Sequence, residues 1–178
     1  MTILTGRSHT SLTQREHEHR TAVQYALGLT APDPELDAFA TRLAQAAGVP
    51  YAMVKIFTSV QHFVGLHAPE SGELPPVGRS MSLDDGFCPD VVDRGKALVL
   101  PDVFASPQFA GNRVVDGLNI RTYAGAPLIY DGAVLGTVCF VGPQEQAQST
   151  GQASLVLIKE HRDQVMDFLQ QRAGYRPR

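Results

Sequence analysis

The sequence predicts one α+β domain: a largely antiparallel sheet with helices on both faces. Three observations lead to that class. Apolar residues at three-four spacing mark helices near both ends of the chain. Short runs rich in β-branched and aromatic residues lie close enough together to pair as hairpins. A loop-and-helix stretch separates the two strand groups, which puts short helices against the sheet in mid-chain.

Residues 1–12 are polar and unpatterned, a loose tail. Thr13 to Leu29 reads as a helix whose apolar stripe, Ala22, Val23, Ala26 and Leu27, is narrow. A stripe that thin suits a helix resting on a surface or on a partner's helix, so 13–30 is a candidate dimer helix. Asp33-Pro34-Glu35 supplies an N-cap, a first-turn proline and a first-turn acid. Leu36, Phe39, Ala40, Leu43, Ala44 and Ala47 then keep helical spacing, and Gly48 closes the helix. Tyr51 to Phe57 is a strand, and Val60 to His67 is its antiparallel partner. Pro69 to Pro76 is a loop, and Ser80 to Leu83 a short strand. Asp84-Asp85-Gly86 is expected to cap a short helix, Phe87 to Arg94, ended by Gly95. Ala97 to Leu100 is a strand stopped by Pro101. Asp102 to Asn119 is irregular, with Phe104, Phe109 and Val114 as its anchors. Arg121 to Tyr130 and Ala133 to Val141 flank Asp131-Gly132, the strongest hairpin signal in the chain. Thr150 to Arg172 is a long helix carrying Leu155, Ile158, Val165, Phe168 and Leu169, and 173–178 is a tail.

With 178 residues the chain has room for one domain and not for a sensor plus an effector. Its composition, 43% hydrophobic and 19% charged, is that of a soluble globular protein. A formal charge of −3 supplies no general positive field for nucleic acid or anionic lipid. No apolar run reaches the ~20 residues that span a bilayer. No basic-then-apolar leader opens the sequence. Two cysteines are too few for a disulfide framework, so the expected compartment is the cytoplasm. Arginine outnumbers lysine, and alanine, glycine and proline are abundant, a bias that suggests a GC-rich, bacterial genome.

From Met81 to Gly142 the motifs resemble those of a GAF domain. They are Asp85-Gly86-Phe87-Cys88, Leu98 to Asp102, Ser106-Pro107-Gln108-Phe109, Ile120 to Leu128, and Leu135 to Cys139. The likeness extends weakly to Leu36–Val64, so the domain is taken as 31–172. It implies a PAS-related central sheet of about six antiparallel strands. It also implies a pocket on one sheet face, walled by 84–94 and 102–119. GAF domains are mostly small-molecule sensors that dimerise through terminal helices. A stand-alone cytosolic sensory module is therefore expected, binding an unidentified small molecule and signalling through a separate effector chain.

The residues support a pocket independently. An 18-residue irregular segment between strands is long for a compact domain. Its aromatics alternate with Ser106, Gln108 and Asn112, as a ligand wall requires, although those rings could simply pin the loop. The expected lining is Phe57, Phe63, Cys88, Phe104, Phe109 and Tyr123, with Asp102 and Arg121 as polar contacts. Asp102 and Arg121 could equally pair to fix the loop. Cys88 falls in the first turn of a short helix, where a thiolate is favoured, yet cysteine is more often a small buried hydrophobe. Chromophore-attaching GAF domains commonly follow that cysteine with His; here Pro89 follows. Cys139, in a central strand, reads as core. The family also contains free methionine-R-sulfoxide reductases, so a thiol-dependent enzyme using Cys88 is an alternative. A ligand-free dimerisation scaffold is another.

No catalytic residue is assigned, and no cofactor or metal is expected. His17 and His19 lie on different helix faces, and His62 and His67 on opposite strand faces. In the last helix Leu155, Ile158, Val165, Leu169 and Arg172 share one stripe. That stripe packs either on the domain's own sheet or across a homodimer.

Overall fold

The computed structural model describes residues 12–70 and 72–174. The two expected tails therefore lie almost wholly outside the described residues. Six helices and six strands follow one another in the anticipated order. Helix α1 is Gln14–Ala26 and α2 is Pro34–Ala47; strands β1, Tyr51–Phe57, and β2, Gln61–His67, come next. Strand β3, Ser80–Met81, and helix α3, Cys88–Arg94, lead into β4, Leu98–Leu100. A 3-10 turn at Val103–Ala105 precedes the short helices α4, Pro107–Ala110, and α5, Arg113–Gly117. The hairpin of β5, Thr122–Tyr130, and β6, Ala133–Gly142, is followed by α6, Gly151–Arg172.

The strands form one sheet in the order β3-β2-β1-β6-β5-β4, antiparallel throughout. The two predicted hairpins are joined where β1 pairs with β6. The β5–β6 turn has Asp131 and Gly132 both at positive φ, 49° and 72°. This is the backbone that an Asp-Gly hairpin selects. Two residues bulge out of register, one in β2 and one near the start of β6. Gly136, beside the second bulge, lets β1 pass close. A Cβ there would stand 1.9 Å from the Lys55 carbonyl oxygen.

Alternation along the strands divides the interior into two cores. One face of the sheet presents Ala52, Val54, Ile56, Ala124, Ala126, Leu128, Val138 and Phe140 to α1, α2 and α6. There the α6 stripe of Ile158, Val165 and Leu169 is fully buried. Burial of side chains this size is worth about 1.5–3 kcal/mol each. The stripe is thus committed to its own sheet, where Phe39 of α2 also packs on Phe168, ring centres 5.2 Å apart. The opposite face carries Tyr51, Met53, Phe57, Tyr123, Cys139 and Val141 under α3, α4 and α5.

The caps follow the sequence closely. Thr13 and Glu16 form a reciprocal capping box. Asp33 caps α2, while Gly48 and Gly95 end α2 and α3 in the left-handed conformation. Asp84 and Asp85 do not cap α3 as expected. Its N-cap is Phe87, which makes no side-chain bond. The 84–86 turn is instead tied to α5: Asp85 pairs with Arg113 at 2.9 Å, and Asn112 bonds both backbone groups of Gly86.

Helix α1 ends at Ala26, three residues earlier than expected, with Leu27 as its C-cap and Gly28 following at φ 71°. It is anchored by a polar side chain as well as by its thin stripe. The buried Gln24 amide donates to the carbonyls of Phe57 and Leu135, both at 2.9 Å. Among the described residues, no helix is long and apolar enough to cross a membrane.

Candidate functional site

A cavity of about 200 Å³ lies between the second face of the sheet and the α3–α5 insertion. Its floor is sheet: Met53 and Lys55 from β1, Phe63 from β2, Tyr123 from β5, Cys139 and Val141 from β6. Its walls are Phe87, Cys88, Val114, Leu118 and Ile120, and its rim includes the exposed Pro76, Gly78 and Ser80. The cavity is apolar apart from a compact polar cluster on the floor.

Lys55 is the centre of that cluster. Period-two alternation carries it to the same face as Met53 and Phe57, where only 5% of it is exposed. Its ammonium donates to Gln61 Oε1 at 3.3 Å, lies 3.5 Å from Met81 Sδ, and stands 4.7 Å from the Phe63 ring centre. Burial works to strip its proton. The neighbouring Cys88, with Cys139 beside it, outweighs that and holds the Lys55 pKa above the ordinary lysine value. Gln61, itself buried, is locked by donating to the carbonyls of Ser82 and Asp85 at 2.8 and 2.7 Å.

Cys88 is the acidic member. Burial alone would raise its pKa, but Cys139, the Lys55 charge, Thr137 and Tyr123 together lower it to about 5. Its sulfur is 3.2 Å from Tyr123 Oη. Burial and the neighbouring Cys88 charge raise the Tyr123 pKa, so the phenol keeps its proton and donates to the thiolate. Thr137 Oγ1 is buried beside them and makes no hydrogen bond. Interaction with Cys88, together with burial, pushes Cys139 in the opposite direction, well above the usual thiol range. The Cys139 thiol points at Met53 Sδ, 3.8 Å away. Both cysteines are free and buried.

Tyr123 reaches Cys88 because residue 125 is glycine. The phenol lies back along its own strand, and a Cβ at Gly125 would be 2.0 Å from Tyr123 Oη. Phe87 packs edge-on against Tyr123 at 5.1 Å and against Phe109 at 5.8 Å, which fixes the phenol from above.

Of the residues expected from sequence, Phe63, Cys88 and Tyr123 meet at the cavity. Phe57 and Phe109 are buried in the core around it rather than on its wall. Phe104 is elsewhere: it is 49% exposed, with the Arg121 guanidinium 4.3 Å from its ring centre. Asp102 caps the 3-10 turn and stands 3.7 Å from Arg121, which also faces Glu145 at 3.6 Å. These two charges tie the start of the insertion to β5 and the β6–α6 loop, outside the cavity. The irregular segment turned out to contain helical turns, and their period points Phe109 and Val114 inward while Phe104 faces out.

Sequence reasoning missed Lys55, Gln61 and Thr137, and read Cys139 as core alone. The available signal was Lys55 itself, the single charge in Tyr51–Phe57, a strand buried along its whole length. Among the described residues, no group of three or more His, Cys, Asp or Glu side chains could hold a metal ion.

The GAF domain profile matches residues 32–170. No curated protein matches the sequence. Among solved structures, the chain is similar to the GAF domain of an Acinetobacter phosphoenolpyruvate-protein phosphotransferase. The identity is 16% and the TM-score 0.58, over 93% of this chain and 99% of that one. It is also similar to a type II free methionine-R-sulfoxide reductase from Thermoplasma acidophilum, at 12% identity and TM-score 0.58, over 83% and 94%. The blue-light absorbing PixJ GAF domain of Thermosynechococcus elongatus gives 14% identity and TM-score 0.54, over 92% and 96%. At these identities the shared property is the fold.

Proposed function

The chain belongs to the GAF domain family, and from that premise we propose a non-enzymatic sensory module that binds a small organic acid in the Lys55 cavity. The observation that carries this reading is a buried ammonium at the floor of an apolar cavity. Its charged neighbour is the Cys88 thiolate rather than a carboxylate. An engineered apolar cavity of about 150 Å³ takes one benzene. A volume of about 200 Å³ therefore suits one ring with one substituent. An open-chain tetrapyrrole needs several times that space.

The carboxylate of such a ligand would replace the Cys88 thiolate as the partner of Lys55, and Cys88 would take up one proton from solvent. Binding then strengthens as pH falls toward about 5, below which Cys88 is mostly protonated without ligand. Calorimetric titration with benzoate tests this, with toluene as the neutral isostere. Binding at pH 6, weaker binding at pH 8 and loss in Lys55→Met support the reading. No binding of either probe at any pH overturns it.

Ligand state would reach the first helix along β1, since Gln24 holds the carbonyl of Phe57, two residues beyond Lys55. The output passes to a separate effector in this reading, from a homodimer. With the α6 stripe buried, α1 is the helix left to form that dimer, and its Tyr25 is 78% exposed. Light scattering of wild type and Tyr25→Glu tests the dimer, with a shift toward monomer expected only in the variant.

A second reading has a specific observation behind it: the acidic Cys88 beside a second thiol. It is a thiol-dependent reductase of free methionine-R-sulfoxide. Turnover by wild type but not by Cys88→Ser would favour it, and no turnover by either excludes it. An open cavity also speaks against a ligand-free scaffold.

A further inference from the structure

We propose that Cys88 and Cys139 form a peroxide-reactive dithiol, in which Cys88 is oxidised by a small hydroperoxide and Cys139 closes an intramolecular disulfide. The inference rests on where the two thiols are and needs no ligand in the cavity. Cys88, at the start of α3, and Cys139, in central strand β6, line one cavity from its wall and its floor. They come from positions 51 apart in sequence, and the fold brings both to the same 200 Å³ cavity. Both are only 1% exposed, so the route to them is the cavity mouth at Pro76, Gly78 and Ser80. That route admits a two-oxygen oxidant and screens the sulfurs from bulky thiols.

The surroundings divide the labour between the two. Lys55 and the Tyr123 hydroxyl stabilise a thiolate at Cys88, the form that attacks a peroxide. Cys139 keeps its proton and lies beside uncharged Met53. In the first step the Cys88 sulfur attacks one peroxide oxygen and the O–O bond breaks. Cys88 becomes a sulfenic acid, and the leaving alkoxide or hydroxide takes a proton. In the second, the Cys139 sulfur attacks the Cys88 sulfur, the S–S bond forms and the S–O bond breaks. Cys139 loses its proton and water departs. The two thiols lose two electrons, the hydroperoxide gains them, and the products are a disulfide, an alcohol and water. Oxidation also removes the thiolate while Lys55 stays protonated, which leaves the cavity floor one positive charge richer.

Mass analysis of the reduced full chain after hydrogen peroxide tests the proposal. Remaining thiols are capped with N-ethylmaleimide under denaturing conditions, and the peptides are mapped. The expected product is a monomer lighter by two hydrogens, with Cys88 and Cys139 uncapped together and linked in one peptide pair. Dithiothreitol should restore both thiols. In Cys139→Ser the reaction should stop at one added oxygen on Cys88, trapped by dimedone. Lys55→Met should slow the wild-type reaction by roughly tenfold or more. Wild-type chain that keeps both thiols, takes up oxygen first at Cys139, or links only between chains would overturn the assignment. The wild-type measurement decides the matter even where a variant folds poorly.

Discussion

Replacing Gly125 by alanine tests whether the Tyr123–Cys88 contact holds the polar cluster together. The new Cβ would lie 2.0 Å from Tyr123 Oη and 2.7 Å from Cζ. Ordinary contact begins at 3.4 Å, so the phenol must retreat by well over an ångström. It has little room, because Phe87 covers the ring and Phe109 backs Phe87. Overpacking a core of this kind costs about 1–3 kcal/mol, and the lost bond to Cys88 adds about 1 kcal/mol. Stiffening the unfolded chain returns only about 0.4–1 kcal/mol. The net destabilisation is about 1–3.5 kcal/mol, a fall in Tm of roughly 2–14 °C for a chain of this length. Calorimetry measures the first effect, and the pH dependence of thiolate absorbance near 240 nm reports the second. Cys88 should titrate higher in the variant. Combined with Tyr123→Leu, the two penalties should overlap by about 1 kcal/mol or more. A variant with wild-type Tm and an unchanged Cys88 titration would refute the reasoning.

Other expectations follow from the same geometry. Cys88 has a folded pKa below its unfolded one, so its contribution is complete above about 9 and disappears as pH falls through about 5. Lys55 has a raised pKa, so its contribution is complete below 10.5 and is lost only above that. Wild type should therefore gain stability over the double variant Lys55→Met/Cys88→Ala as pH rises from 5 to 9, measured by urea unfolding. Gln24→Ala removes both bonds to the Phe57 and Leu135 carbonyls. A loss of about 2–3 kcal/mol is expected, with faster hydrogen exchange throughout α1. Phe104→Ala should change stability by less than about 1 kcal/mol and leave benzoate titration and Cys88 reactivity untouched.

Element order was legible because local signals agree with tertiary demands. Asp33-Pro34 and Gly48 bound α2, and Asp131-Gly132 sets the β5–β6 turn, each through backbone chemistry confined to a few residues. The candidate site was only half legible. Phe63, Cys88 and Tyr123 sit on elements whose facing follows from alternation or a helix start. Phe104 was misplaced because one-turn helices carry too little periodicity to show which residues point inward. Arg121 and Asp102 are close, as their spacing around the insertion suggested, but their pairing directs both charges away from the cavity. The cluster of Lys55, Gln61, Thr137 and Cys139 joins four strand positions. Their adjacency exists only once β1 pairs with β6, a contact between segments about 80 residues apart.

The clasp between Arg172 at the end of α6 and Asp33 at the cap of α2 has a topological consequence. Arg172 also faces Glu35 at 3.7 Å, and its guanidinium lies 4.9 Å from the Phe168 ring centre. Gly28, where α1 turns into the domain, is at the same place, its Cβ position 3.5 Å from the Arg172 side chain. The start of α2 and the end of α6 therefore share one pole, while the cavity opens elsewhere, beside β3. A load applied across Asp33 and Arg172 is met first by that small ionic knot and by the two helices beside it.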